Sequence, residues 1–340
     1  MGSLRDIALL FGSLILCLIL PSSSSSLNAS TAVLLVRVDQ TGKGDFTRIQ
    51  DAINVIPSNN TESVFIWVKP GIYREKVTVP ADKPFITLSG SSAMSTIITY
   101  DEAWISVESP TVSILASDFV GKYLTIQNTY GQGGPAVALR VAGDRVAFYT
   151  SRFIGFQDTL LDDAGRHYYT NCYIEGGTDF ICGNARSLFR KCHLHSVSEN
   201  GGAFTAQRRS SAAEDTGYSL SNCKLTGAGV GTAILGRPWG AYSRVIFILT
   251  YMSDAIQPQG WSDWNNPSNQ MTAYYGEYHS YGPGSNTRGR VEWSHQLLFD
   301  EASQYMNHTS WIDGQDWLRP TPGHFRKFSA SRPSDAMGNK

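Results

Sequence analysis

From residue 63 onward, apolar positions fall in short runs of β-branched and aromatic residues. Val64-Phe-Ile-Trp-Val-Lys, Lys76-Val-Thr-Val, Phe85-Ile-Thr-Leu and Thr96-Ile-Ile-Thr are each followed closely by Pro, Gly or Asp. The pattern continues through Ser113-Ile-Leu-Ala, Lys122-Tyr-Leu-Thr-Ile-Gln, Ala136-Val-Ala-Leu-Arg-Val and Tyr218-Ser-Leu-Ser-Asn-Cys-Lys-Leu to Arg244-Val-Ile-Phe-Ile-Leu. Short apolar runs with these boundaries predict strands and turns. Val33 to Val38 predicts one more strand ahead of them. Two stretches have a helical period instead. In residues 46–56, Ile49, Ala52, Ile53 and Ile56 share one face and Pro57 stops the pattern. Residues 297–307 predict a second short helix. The aromatic-rich stretch 261–281 reads as irregular loops on the flank, and residues 326–340 as a polar, disordered tail.

The strands repeat at a short interval. A small residue followed by large apolar ones recurs at Ser151/Phe153-Ile154, Cys172/Tyr173-Ile174 and Cys192/Leu194, in steps of 21 and 20 residues. That period has no room for a crossover helix, which needs about 30 residues. It fits one coil of a parallel β-solenoid, so the fold class is all-β, a single-stranded parallel β-helix, with the helix at 46–56 capping its open end. Asp158 and Asp179 each lie 7 residues beyond the repeat position of their coil. Equal offsets place them one above the other at roughly the 4.8 Å strand spacing. Two carboxylates so close do not both ionise freely; one becomes an acid and the other a nucleophile or base. The plain alternative is two turn aspartates bonding local backbone.

The chain has 340 residues, 41% hydrophobic, with a formal charge of −1, which favours neither nucleic acid nor an anionic membrane as partner. Arg5, an apolar run from Ile7 to Leu20 and the Ser22 to Ser26 tract predict a secretory signal over residues 1–26, with 27–32 as a short lead. The run is too short to span a bilayer comfortably. Sequons at Asn28, Asn59 and Asn307 fit an extracellular glycoprotein. Five cysteines occur; Cys17 leaves with the signal, and Cys172 and Cys182 read as buried thiols. The chain carries no Gly-x-Ser-x-Gly elbow, no P-loop and no zinc spacing. His193 and His195 share a strand face without a third ligand spaced for a metal, so they read as packed or surface histidines.

Several blocks go further. Gly155-Phe-Gln-Asp-Thr-Leu, Gly177-Thr-Asp-Phe-Ile-Cys-Gly-Asn and Leu235-Gly-Arg-Pro-Trp resemble signature blocks of the plant pectinesterases (pectin methylesterases). So do Gly71-Ile-Tyr-Arg-Glu75, Ala136-Val-Ala-Leu-Arg140, Thr205-Ala-Gln207, Tyr274-Tyr-Gly-Glu-Tyr278 and Trp317-Leu, an ordered set from about Val38 to about Pro320. The resemblance implies a right-handed β-helix over residues 33–325 that removes methyl esters from pectin, giving methanol and pectate. It implies Asp179 as nucleophile, Arg237 as its partner, Asp158 as acid and base, and Gln157 as oxyanion donor. Trp239, Phe180 and Gln132 are the expected substrate contacts, and no metal or cofactor is implied. The pair Cys192 and Cys223, bridged in some family members, is the disulfide candidate. The expected partners are pectin and a proteinaceous inhibitor, for a monomeric, secreted, cell-wall protein without the family's long inhibitor-like pro-region.

Two positions depart from the family pattern. Pro135 stands where a Gln commonly supplies a second oxyanion donor, and Arg208 stands where Gly usually follows Thr-Ala-Gln. A missing donor keeps a weakly active or non-catalytic pectin-binding protein as an alternative. A polygalacturonase or pectate lyase on the same scaffold is the other; closely spaced carboxylates also serve glycosidases, and a lyase needs calcium.

Overall fold

A computed structural model of the protein describes residues 32–103 and 110–329. The chain winds as a right-handed parallel β-helix whose strands form three sheets, of 12, 8 and 7 strands. One coil, with strands Val146–Tyr149, Arg152–Ile154 and Leu160–Asp162, is followed by Arg166–Thr170, Tyr173–Gly176 and Ile181–Gly183. Phe148 stacks on Tyr169, Phe153 on Ile174 and Leu160 on Ile181. The interval of about 21 residues is therefore the coil itself. Inside it, the rings of Phe148, Tyr169 and Phe189 stack nearly parallel at 5.8 and 4.6 Å, one from each of three successive coils.

The repeated small residues form a column at one corner. Thr150, Asn171, Lys191, Asn222 and Leu249 all adopt left-handed backbone, with φ between 49° and 55°. Each turns the next side chain inward: Ser151, Cys172, Cys192, Cys223 and Thr250, all buried. Their hydroxyls and thiols donate to carbonyls of the same corner, Ser151 to Tyr149 at 3.1 Å, Cys192 to Arg190 at 3.6 Å and Cys223 to Ser221 at 3.6 Å. Cys172, Cys182, Cys192 and Cys223 are free, so the expected bridge between Cys192 and Cys223 is not formed. In this column a thiol fills the seat that a hydroxyl fills elsewhere, with its donor already engaged.

The capping helix spans Ile49–Asn54, shorter than residues 46–56, because Phe46 is taken by a β-bridge with Val38. Ile49, Ala52 and Ile53 are its buried face, and the Glu75 carboxylate accepts the N–H groups of Ile49 and Gln50 at 2.9 and 3.1 Å. Those groups have no partner within a helix, so an acid there both satisfies them and complements the dipole. The expected helix at 297–307 is Phe299–Ser303; Asn307 starts a further one, His308–Ile312, accepting the N–H groups of Thr309 and Ser310 at 3.0 Å.

The stretch 261–281 is more than flank loops: Tyr274–Tyr278 is a strand of the large sheet, and Trp261, fully buried, stacks on Tyr275 at 4.2 Å. Phe325–Lys327 pairs in parallel with Val33–Val38, so regular structure continues past the expected tail boundary at 326. The expected signal, Cys17, Asn28 and residues 330–340 lie outside the described residues. Among the described residues no helix is long and apolar enough to cross a membrane.

Candidate active site

Asp158 and Asp179 occupy the same corner on adjacent coils. Gln157 and Thr178 form a parallel bridge, and the Asp158 N–H donates to the Thr178 carbonyl at 3.4 Å. The stacking expected from the equal offsets is present. Both aspartates take left-handed backbone, φ 59° and 48°, a conformation that Asp tolerates better than most residues. Gly177 allows the second corner to close: a Cβ there would lie 2.4 Å from the Phe156 ring.

Arg237 follows the strand Ala233–Gly236 and is anchored by its own N–H on the Thr205 carbonyl at 3.0 Å. Its guanidinium meets Asp179 with two bonds, Nε to Oδ1 at 2.8 Å and a terminal nitrogen to Oδ2 at 2.6 Å. That fork matches both oxygens of an ionised carboxylate. Among the described residues Asp158 has no such partner. Burial first, and then the charge of Asp179, push its carboxyl up to about 7, against a smaller opposing pull from Arg237. Two identical side chains thus sit in unlike surroundings, Asp179 in the arginine fork and Asp158 buried outside it.

Around them lies an apolar floor of Val137, Leu161, Cys182 and Ala206, with Trp264 packed on it. Burial, and then the nearby Asp158 and Asp179, raise the Cys182 thiol well above its ordinary value. Trp264 also lies flat beneath the Arg237 guanidinium, 4.0 Å from ring centroid to charge, where it fixes the plane of the fork. The sequence reading missed Trp264, since its stretch has no period and only its aromatic density marked it.

Gln157 is half-buried, and its side-chain amide makes no hydrogen bond among the described residues. Ala136 N–H donates to the Gln157 carbonyl at 3.1 Å, so Pro135 lies one coil from Gln157, at the same corner. Gln132 is exposed in the loop just before Pro135, beside Gly131, Gly133 and Gly134, all at positive φ. Trp239 is 38% exposed, with the Arg208 guanidinium 5.0 Å above its ring. Phe180 does not join them. It is fully buried and packs on Phe204 at 5.0 Å, because the chain leaves the Asp179 corner pointing inward. The expectation that Phe180 touches substrate is corrected by this. His193 and His195 both bond the Thr226 hydroxyl, at 2.8 and 2.7 Å, as packed strand histidines do. Among the described residues no group of three or more His, Cys, Asp or Glu could hold a metal ion.

The arrangement offers an oriented carboxylate, a protonated acid within one strand spacing, an uncommitted amide and a flat aromatic face. Those are the parts needed to attack a carbonyl and protonate its leaving group.

The family model for pectinesterase matches residues 35–315. An Arabidopsis thaliana protein, putative pectinesterase 11, is 56% identical over 306 residues, covering 89% of this chain and 86% of that one. Pectinesterase 31 of the same plant is 41% identical over 314 residues, covering 87% and 98%. Among solved structures, carrot pectin methylesterase superposes with a TM-score of 0.79 at 32% identity, covering 88% of this chain and all of that one. A pectin methylesterase in complex with a hexasaccharide gives 0.72 at 26% identity, covering 85% and 98%. From its stacked aspartates to its match across nearly the whole solenoid, the chain belongs to the pectinesterase family and is an esterase of that family.

Proposed function

We propose that the chain is a secreted pectin methylesterase in which Asp179 is the nucleophile and Asp158 the acid and base. The observation that carries this is the Arg237 fork on Asp179 beside a carboxyl raised to about 7. An Asp179 oxygen attacks the methyl-ester carbonyl, and the tetrahedral oxyanion takes a hydrogen bond from the Gln157 amide. As it collapses, the methoxy group leaves with the Asp158 proton as methanol, and the uronate acyl group stays on Asp179. Asp158, now anionic, takes a proton from water. The hydroxide adds to the acyl carbon, Asp179 departs as carboxylate, and a free uronate is released. Trp239 and Trp264 offer flat faces to sugar rings.

Pectin in the plant cell wall is the substrate this scheme requires, and the apolar run Ile7 to Leu20 supports export to it. Exposed Asn59 and Asn307 are candidate glycan sites. Pro135 supports a second reading, a slow esterase, because it has no donor to place beside Gln157.

The deciding experiment incubates the purified chain with methyl-esterified pectin and follows methanol, new reducing ends and unsaturated products together. Methanol alone is the expected product. Reducing ends or unsaturated uronates without methanol would replace this scheme with glycosidic-bond cleavage.

A further inference from the structure

Arg208 is a cation that the esterase chemistry above does not use. It stands at the end of the strand Gly202–Gln207, where its N–H donates to the Gly183 carbonyl at 2.8 Å. Gly183 is four residues beyond Asp179, roughly 13 Å along the strand. The apolar floor of Leu161, Cys182 and Ala206 lies between the two, so Arg208 is on the same outer face as the aspartates and within the span of a short oligosaccharide.

Its partners hold it without using its donors. Asp163 already accepts from Arg140, at 3.0 and 2.8 Å on one oxygen, and Arg208 approaches the other oxygen only to 3.6 Å. No hydrogen bond to the Arg208 guanidinium forms among the described residues, and its side chain is 46% exposed. The Trp239 ring beneath it, at 5.0 Å, orients the plane. An oriented guanidinium with open donors is built to take a carboxylate by two parallel bonds. A fully methyl-esterified uronate chain has none to offer, whereas a chain that has lost some esters does.

We propose that Arg208 binds the free carboxylate of a uronate ring flanking the reacting ester, so that this cleft selects partly de-esterified chains. The proposal rests on the esterase reading of the same site.

The test compares the full chain with R208Q and R208K. Methanol release is measured on fully methyl-esterified and on half-esterified hexagalacturonate, and binding of fully de-esterified hexagalacturonate is measured by calorimetry. R208Q should lose roughly tenfold in kcat/KM on the half-esterified substrate, through KM, with a much smaller loss on the fully esterified one. It should bind the de-esterified oligomer roughly tenfold more weakly. R208K should keep part of both effects, having the charge without the fork. Equal losses on the two esters, or unchanged binding of the de-esterified oligomer, would overturn the proposal. Absence of methanol from the wild type would sink the esterase reading by itself, while the binding measurement still decides the role of Arg208.

Discussion

The proposed mechanism gives Asp158 and Asp179 opposite tasks from one residue type. Asp179→Asn removes the proposed nucleophile and should abolish methanol release in a folded protein. Asp158→Asn should reduce the rate by roughly 10²–10⁴, as for a lost acid–base group. The proposed mechanism needs Asp158 protonated in the free enzyme, so kcat/KM should fall as pH rises through about 7, a limb absent in Asp158→Asn. Stability follows the same proton. The folded value lies above the unfolded one, so the protonated form favours folding below about pH 4, and that contribution is lost as pH rises through about 7. Asp158→Asn should therefore be more stable than wild type at pH 8, by up to roughly 4 kcal/mol. The advantage should vanish toward pH 4, as denaturant unfolding at the two pH values would show. Pro135 gives the opposite kind of test. Pro135→Gln restores an amide one coil from Gln157 and should raise kcat by up to about 10²-fold with little change in KM. A gain under about threefold, with Gln132→Ala silent as well, would remove the oxyanion role assigned to this corner.

At the scale of one element, the corner column shows what the sequence can and cannot carry. The recurrence of Ser151, Cys172 and Cys192 made the coil length legible, and equal offsets from it made the aspartate pair legible before any coordinates. Shared phase could not say what the thiols do, since neighbours in a column are close enough to bridge and equally able to bond their own corner carbonyls. The thiols of Cys172 and Cys192 are raised well above the ordinary value by burial, so both should resist alkylation until the protein unfolds. Cys192→Ser should cost no more than about 1–2 kcal/mol in denaturant unfolding, because Ser151 already shows a hydroxyl in that seat. A larger loss, or a non-reducing peptide map with Cys192 joined to Cys223, would contradict the free column. The inward turn of Phe180 and the position of Trp264 escape the sequence for a related reason. Which way a side chain points after a left-handed corner, and which loop folds over the floor, are set by tertiary packing and leave no period in the sequence. The helix at residues 46–56 was shortened in the same way, by a bridge between Phe46 and Val38.

For the whole molecule, the solenoid holds its site on a lattice of parallel strands, and the C-terminal segment braces that lattice from outside. Trp311 Nε1 donates to the Ser187 carbonyl at 2.9 Å, and the Ser219 hydroxyl to the Tyr305 carbonyl at 2.6 Å. Trp311→Ala should destabilise by roughly 3–5 kcal/mol, as for a large buried aromatic, and it touches neither aspartate. Its folded fraction should keep wild-type kcat at low temperature while the thermal midpoint drops; a kcat loss matching that of Asp158→Asn would place Trp311 in the chemistry instead.

The strand Phe325–Lys327 has a consequence in time. Val33 leaves a ribosome early in synthesis, yet its partner at the sheet edge is Phe325. At 5–20 residues per second, roughly 15–60 s of synthesis separate the two. During that interval the edge at Val33–Val38 is bare, a template onto which another nascent chain could add. What finally covers it is only three residues long and carries Arg326 and Lys327, and the opposite end of the same 12-stranded sheet is the two-residue strand His295–Gln296. Short, charged end strands are poor templates. This late-made strand thus converts a sheet that could polymerise into one that stops.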